Sequence, residues 1–107
     1  MLTIAIPTYN RNERLARSLE ILVPQLSAGV KLVIIDNCSS VPIKDTVEPY
    51  LLSNVKVVRN TYNIGMAANI LRCFENCDTE WLWVLGDDDP PHKNAVEIII
   101  QEIKAHP

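Results

Sequence analysis

Glycine is scarce in this sequence, and its apolar runs are short. Only 3 of the 107 residues are glycine, and the segment TYNRNER, which follows the first apolar run, contains none. A glycine-rich loop of the kind that cradles a triphosphate is therefore absent from that position. The apolar runs, such as residues 32–35 and 98–100, are too short to cross a bilayer.

Excess positive charge and paired cysteines are also missing. The formal net charge is −3 at pH 7, which argues against a nucleic-acid partner because such surfaces rely on clustered Lys and Arg. Any phosphate bound by this chain needs a local group that offsets its negative charge. Cys38, Cys73 and Cys77 lack the paired spacing of a zinc site, and we interpret them as buried, reduced thiols.

The remaining composition is that of an ordinary globular protein. Hydrophobic residues make up 48% and charged residues 21% of the chain, so it should fold, and its length predicts one domain over residues 1–107. The first residues form a strand-like run rather than a basic segment followed by an apolar one. We therefore expect a cytoplasmic location, with the inner face of the membrane as an alternative.

Short apolar runs predict four strands, at residues 2–7, 31–36, 55–58 and 81–85. Helical spacing predicts four helices between and after them. The first would start at a capping box of Asn10 and Glu13 and be kinked or ended by Pro24. The second is a weak helix at 46–52, and the third starts at 63 and has apolar residues at 67, 70, 71 and 74. The last helix would have Pro90 and Pro91 in its first turn and a buried stripe at 96, 99, 100 and 103.

This alternation predicts an α/β fold, a Rossmann-like parallel sheet with helices on both faces. Ligands of such sheets bind beyond the carboxyl ends of the strands. Polar residues cluster at three of these ends, in the segments 8–10, 36–40 and 87–89. The sequence therefore predicts one site at this edge of the sheet.

The acidic triplet Asp87, Asp88 and Asp89 is the strongest chemical signal. Adjacent carboxylates repel one another unless a cation or a proton intervenes, and Mg²⁺ and Mn²⁺ prefer oxygen ligands shared with substrate phosphates. A divalent metal would let this acidic chain hold a diphosphate. A solvated acidic turn that caps the next helix is the alternative.

The other strand ends give weaker signals. Asp36 could accept hydrogen bonds from a ribose or a base, or could simply form a turn. Residues 8–10 could bond to and stack on a nucleobase, or cap a helix. Among the arginines, Arg11 and Arg59 are the best candidates for a nucleotide contact, against an alternative of surface charges.

One asparagine position, one glycine position and the two histidines give the weakest signals. Asn63 and Gly65 open the third helix, where the Asn could cap it and the Gly could permit close backbone approach to a ligand. A purely structural cap is an equal alternative. His92 and His106 have no matching cluster of ligands, and we interpret both as surface residues.

These segments together resemble the amino-terminal half of family-2 glycosyltransferases of the GT-A type. The matching segments, in order, are IPTYNRNERLARSLEIL, LVIIDNCSS, RNTYNIGMAANI and WLWVLGDDD. They cover nearly the whole chain, which corresponds to roughly the first half of the usual family domain. The resemblance implies a nucleotide-sugar-binding part truncated from a longer enzyme.

The resemblance also implies roles for particular residues. Thr8, Tyr9 and Asp36 would line the nucleoside pocket, and the acidic triplet would hold Mn²⁺ or Mg²⁺ with the sugar diphosphate. Two alignments of the family's DxD motif are open: Asp87 and Asp89 form a literal DxD pair, whereas Gly86 in the first Asp position would make Asp88 the main ligand. The complete nucleotide-binding set is Pro7, Thr8, Tyr9, Asn10, Arg11, Asp36, Asn63, Gly65, Asp87 and Asp88.

The implied activity is inverting, metal-assisted transfer of a sugar from a nucleoside-diphosphate donor, a UDP-sugar by preference, to a saccharide or lipid-linked acceptor. The catalytic base and the acceptor site are expected outside this chain. Loss of the remaining half would expose an apolar face near the last helix, compatible with a homodimer or with peripheral membrane association. The alternatives are a sugar-phosphate nucleotidyltransferase, which the glycine-free TYNRNER segment disfavours, and a non-catalytic nucleotide-binding module.

Overall fold

The computed structural model describes residues 1–87 and 90–106. The strands are β1 (Leu2–Thr8), β2 (Val30–Asp36), β3 (Val55–Arg59) and β4 (Trp81–Val84). The helices are α1 (Asn12–Leu22), α2 (Lys44–Val47), α3 (Met66–Glu75) and α4 (Ala95–Ala105), with short 3₁₀ turns at Val23–Gln25 and Glu48–Tyr50. The predicted order of strands and helices is confirmed.

The four strands form one sheet in the order β3-β2-β1-β4, and every neighbouring pair is parallel. Alternate residues of β1 and β2 point to opposite faces, as the pleat of a strand requires. On one face Ile4, Ile6 and Ile34 pack with the leucines of α1 and with Val47 and Val96 of α2 and α4. On the other, Ala5, Val33 and Ile35 pack with Cys73 of α3. The predicted Rossmann-like sheet with helices on both faces is confirmed.

Two predicted helix starts are wrong. The capping box does not form, because α1 begins after Arg11 with no side-chain cap, and Asn10 instead uses its side-chain oxygen to accept a hydrogen bond from the Ser40 amide at 2.8 Å. Pro90 and Pro91 precede α4 rather than open it. Its N-cap is Asn94, three residues after Pro91.

The remaining helix predictions are partly right. Pro24 ends α1, and the chain continues in a 3₁₀ turn at Val23–Gln25. The weak helix lies earlier than predicted, at Lys44–Val47, because Pro49 lacks the amide hydrogen needed to extend it. The stripe of α4 is confirmed: Val96 is buried, and Ile99, Ile100 and Ile103 pack against the same core.

Helix α3 exists as predicted but presents a different face to the sheet. It begins at Met66, three residues after the predicted start, and its buried residues are Asn69 and Cys73. Leu71 and Phe74, two members of the predicted apolar stripe, are 62% and 59% exposed. Helix α3 therefore presents an exposed apolar face, and near the predicted position Ile98 of α4 is also 53% exposed.

The cysteines differ from the expectation that all three are buried. Cys73 is buried, while Cys38 and Cys77 are half-buried, and all three are free thiols. Burial raises the pKa of Cys73 to about 11, so this thiol is neutral and inert at physiological pH. None of the helices in the described part of the chain has the length and apolar character needed to span a bilayer.

Candidate functional site

The direction of the chain across the sheet changes at β1. Strands β1, β2 and β3 follow one another to one side, whereas β4 pairs with the other side of β1. In open parallel sheets, a crevice for ligands forms outside the carboxyl ends of the strands at such a switch point. A ligand site is therefore expected at the segments that follow β1 and β4.

A hydrogen bond joins these two segments. Thr8, the last residue of β1, is 2% exposed, and its hydroxyl donates to Oδ2 of Asp87 at 3.0 Å. The Leu85 amide also donates to the Ala5 carbonyl, so that pairing with β1 continues past the end of β4. Two predicted site residues thus meet at the switch point, and Thr8 fixes the orientation of the Asp87 carboxylate.

Asp36 lies one strand further along the same edge. In the strand register Thr8 is opposite Asp36, and Asp36 is opposite Arg59. The Asp36 side chain is fully buried, and its Oδ2 forms an ion pair with Nη1 of Arg59 at 2.7 Å. Its Oδ1 accepts hydrogen bonds from the amide and the hydroxyl of Ser39, at 3.1 and 2.6 Å. The sequence singled out both Asp36 and Arg59, and the structure joins them.

The loops after β1 and β2 are tied together through Asn10. Its backbone has a φ of 53°, which asparagine tolerates better than most residues. Its amide donates to the Ser39 hydroxyl at 2.9 Å, and its side chain accepts from the Ser40 amide. Asn10 therefore shapes the loop that holds Asp36.

Asn63 and Gly65 lie in the segment between β3 and α3, and both accept hydrogen bonds from the side chain of Asn37, which follows β2. The Asn63 side-chain oxygen accepts from the Gly65 amide at 2.8 Å, whereas α3 has Gly65 as its N-cap and no side-chain cap. The prediction that Asn63 caps the helix is therefore wrong. Gly65 adopts a φ of 88° and a ψ of 160°, and no atom lies within 4 Å of where its Cβ would be. Its backbone is thus open to close approach, as expected.

Three asparagines at this edge were given no role by the sequence, although Asn37 lies in the predicted polar segment 36–40. Asn37, Asn60 and Asn69 are buried, and their side chains are hydrogen-bonded to one another and to the Asn63 loop. Asn37 and Asn60 directly follow Asp36 and Arg59 in sequence. That position, immediately after a buried strand, was the signal that could have identified two of them.

The other predicted residues of the site lie at the end of β1 and directly after it. Pro7 is half-buried, Tyr9 is 40% exposed, and Asn10 and Arg11 are exposed. His92 and His106 are exposed, as predicted. Three concavities flank the strand ends, with volumes of about 450, 220 and 260 Å³; in order they are lined by residues including Arg11 and Ser40, Ser18 and Asp87, and Arg59 and Tyr62.

The metal prediction is only partly covered by the described residues. Asp88 and Asp89, the residues that distinguish the two DxD alignments, lie outside them. Within residues 1–87 and 90–106, no group of three His, Cys, Asp or Glu side chains could hold a metal ion. Asp87 supplies a half-buried carboxylate of the hard oxygen type that Mg²⁺ and Mn²⁺ prefer.

Solved structures with a similar fold include complexes with nucleotide sugars. Staphylococcus aureus TarS in complex with UDP-GlcNAc matches 98% of this chain and 31% of its own, with a TM-score of 0.87 and 22% identity. The mannosyltransferase PcManGT from Pyrobaculum calidifontis, in complex with GDP-Man and Mn²⁺, matches 87% of this chain and 29% of its own, with a TM-score of 0.76 and 17% identity. These likenesses establish a GT-A fold.

Sequence comparison gives the family. An uncharacterized glycosyltransferase of Haemophilus influenzae is 33% identical over 107 residues, which are the whole of this chain and 36% of that protein. This chain therefore spans about a third of the length of its relative. The family model for glycosyl transferase family 2 matches residues 3–107. The chain belongs to glycosyl transferase family 2.

Proposed function

We propose that this chain is the donor-binding part of a glycosyltransferase and holds a nucleoside-diphosphate sugar at the switch point between β1 and β4. The observation that carries the proposal is the hydrogen bond from Thr8 to Asp87, which sets a carboxylate at that point. Asp36 lies one strand away at the same edge. The edge can therefore accommodate a diphosphate near Asp87 and a nucleoside near Asp36.

The nucleoside end of the proposed site is built around the ion pair of Asp36 and Arg59. The Asp36 carboxylate is covered, while the Arg59 side chain is 42% exposed. A nucleoside would therefore meet the pair as a unit, with guanidinium N–H groups offered to a base carbonyl and the Asp36 carboxylate keeping the guanidinium in place. Tyr9, exposed just after the end of β1, would supply an aromatic surface for stacking. Pro7, Asn10 and Arg11 would complete the wall.

The diphosphate end requires a divalent cation in this proposal. Asp87, with Asp88 and Asp89, would hold Mn²⁺ or Mg²⁺, and the presence of Mn²⁺ in the PcManGT complex supports this. A bound cation would neutralise the negative charge of the diphosphate as it leaves. Thr8 would keep the Asp87 carboxylate turned toward the ligand. Asn63 and Gly65 lie beside Asn37 instead, and they would let the backbone approach the nucleotide closely from its nucleoside end.

The proposed reaction is an inverting displacement. An acceptor hydroxyl forms a bond to the anomeric carbon, the bond from that carbon to the diphosphate oxygen breaks, and the hydroxyl proton passes to a base. The products are a glycoside and a nucleoside diphosphate. A saccharide or lipid-linked acceptor, a cytoplasmic location and a base from the remaining two-thirds of a longer protein belong to the same proposal.

Titration calorimetry tests the proposed function directly. The 107-residue chain would be titrated with UDP, GDP, CDP and ADP, each with Mn²⁺ and again with excess chelator. We expect one or more diphosphates to bind, and chelation to weaken that binding at least tenfold because the carboxylates would then face the diphosphate without a cation. Asp87→Asn should reduce the effect of Mn²⁺, and Asp45→Asn, an exposed substitution on α2, should not. Binding unchanged by chelation would contradict the metal-dependent site.

A further inference from the structure

Four asparagine side chains form a connected hydrogen-bond network beside the nucleoside end of the proposed site. This asparagine network consists of Asn37, Asn60, Asn63 and Asn69. The side-chain nitrogen of Asn60 donates to the side-chain oxygens of Asn37 and Asn69, at 3.0 and 2.7 Å. The nitrogen of Asn37 donates to the oxygen of Asn63 at 2.8 Å. The network thus connects the ends of β2 and β3 with the loop and the first turns of α3.

The orientation of each buried side-chain amide in the network is fixed by a neighbouring group that can only donate, or only accept, a hydrogen bond. The Ile64 amide can only donate, and it donates to Asn37 at 3.0 Å. The Arg72 guanidinium can only donate, and it donates to the Asn60 oxygen at 3.2 Å. The Ile35 carbonyl can only accept, and it accepts from Asn69 at 3.2 Å. Asn60 must therefore be a double donor toward its neighbours.

The network adjoins the ion pair of Asp36 and Arg59 in the chain. Asn37 follows Asp36, and Asn60 follows Arg59 and donates its backbone N–H to the Asp36 carbonyl at 2.9 Å. Among residues 1–87 and 90–106, strand β3 lies at an edge of the sheet and pairs only with β2. Arg59 is its last residue. A strand end with one neighbour frays easily, and a long arginine side chain has many rotamers. Asn60 anchors the backbone from which this side chain projects.

We propose that Asn60 is a positioning residue for the nucleoside end of the site, holding Arg59 against Asp36 before a ligand arrives. The inference rests on the proposed function. Its specific consequence is that loss of the Asn60 donors weakens recognition of the nucleoside and leaves the diphosphate end intact. Asp87 follows β4, on the far side of β1 from β3, and the hydrogen bond between Thr8 and the network joins backbone atoms, from the Asn37 amide to the Thr8 carbonyl at 2.9 Å.

The test is Asn60→Asp, which has the same shape and replaces both donors by acceptors. The probes are uridine, UDP and Mn²⁺ pyrophosphate, measured by calorimetry on the 107-residue chain. We expect the affinities for uridine and UDP to fall by the same factor, at least tenfold, and the affinity for Mn²⁺ pyrophosphate to stay within twofold. A generally loosened fold would weaken all three probes alike. Asn60→Ser, which is shorter and neutral, serves if Asn60→Asp does not fold.

Val30→Ala is the matched control. Val30 is 1% exposed at the amino end of β2, so its truncation should lower the melting temperature without weakening uridine binding. If the parent chain binds none of the probes, the proposed function fails and the inference fails with it. If the parent binds and the Asn60 variants bind uridine equally well, the inference alone is overturned. Equal loss of uridine affinity in Val30→Ala would also overturn it, since affinity would then merely follow stability.

Discussion

Asp36 shows how a carboxylate can lie fully buried at the end of an apolar strand. Removing an ionised group from water is unfavourable unless the protein supplies compensating charge and hydrogen bonds. Here the amide and hydroxyl of Ser39 and the Arg59 guanidinium supply them. The carboxylate therefore has a fixed orientation and holds the Arg59 guanidinium in place, which is its role in the proposed nucleoside site.

Asp36→Asn tests this arrangement. The amide keeps the shape but removes the negative charge and offers N–H groups where Ser39 or Arg59 already donates. We expect a loss of about 1.5–3 kcal/mol in the free energy of unfolding, the range for hydrogen bonds to charged groups, measured by urea denaturation. Uridine and UDP should both bind more weakly. A loss of affinity confined to UDP would contradict the assignment of Asp36 to the nucleoside.

Individual residues differed in how much their sequence context revealed. Asp36 and Arg59 were identifiable because each ends a run of apolar residues. The roles of Asn60 and Asn69 were not, because their partners lie on other elements and become neighbours only after folding. Asn10 was misread for a similar reason: the sequence offered a local cap, but the structure uses its side chain across 30 residues, at Ser40.

Helix α3 shows the same limit for a whole element. Apolar spacing predicted the helix correctly, but Leu71 and Phe74 point away from the sheet and Asn69 and Cys73 point toward it. Periodicity measures the width of an apolar face and not what covers it. The small inward side chains let α3 lie close to β1 and β2, and Asn69 satisfies the Ile35 carbonyl at the end of β2. That carbonyl could not be paired from sequence alone.

Gly65 allows a test of how α3 is started. Its φ of 88° and ψ of 160° are essentially restricted to glycine, yet an added Cβ would meet no atom within 4 Å. Gly65→Ala should therefore destabilise the fold by about 1–3 kcal/mol through backbone strain alone, as measured by thermal or urea denaturation. Gly86→Ala is the control, because Gly86 has equal open space and no positive φ. Equal stability of the two variants would show that the turn before α3 relaxes without cost.

For the whole molecule, the order of strands decides where the chemistry can lie. The alternation of elements predicted a parallel sheet, but it did not reveal that β4 returns to the free side of β1. That return brings Asp87 within 3.0 Å of Thr8, although 79 residues separate them. The predicted gathering of polar strand ends was correct for Thr8, Asp36 and Asp87, and the strand order supplies the reason.

The same architecture predicts that the 107-residue chain binds donor without transferring sugar. In-line displacement needs an acceptor and a base on the side of the sugar opposite the diphosphate. The concavity beside Asp87 is lined, among the described residues, by Arg14, Arg17, Ser18 and Pro90, and none of these is a base at neutral pH. Asp87 itself would have little basicity left once bound to a cation.

Incubation with labelled UDP- and GDP-sugars, Mn²⁺ and a panel of saccharide acceptors measures this. Once calorimetry has shown that the chain binds the diphosphate, the expected result is that it forms no glycosylated product. The Haemophilus influenzae relative, a longer family member, is assayed in parallel as the control. The chain matches about a third of that relative. Adding the other two-thirds of the relative as a separate polypeptide should restore turnover if the two parts associate. Sustained, metal-dependent product from the 107 residues alone would mean that a base lies within this part of the fold, and Asp88 and Asp89 would be the first residues to substitute.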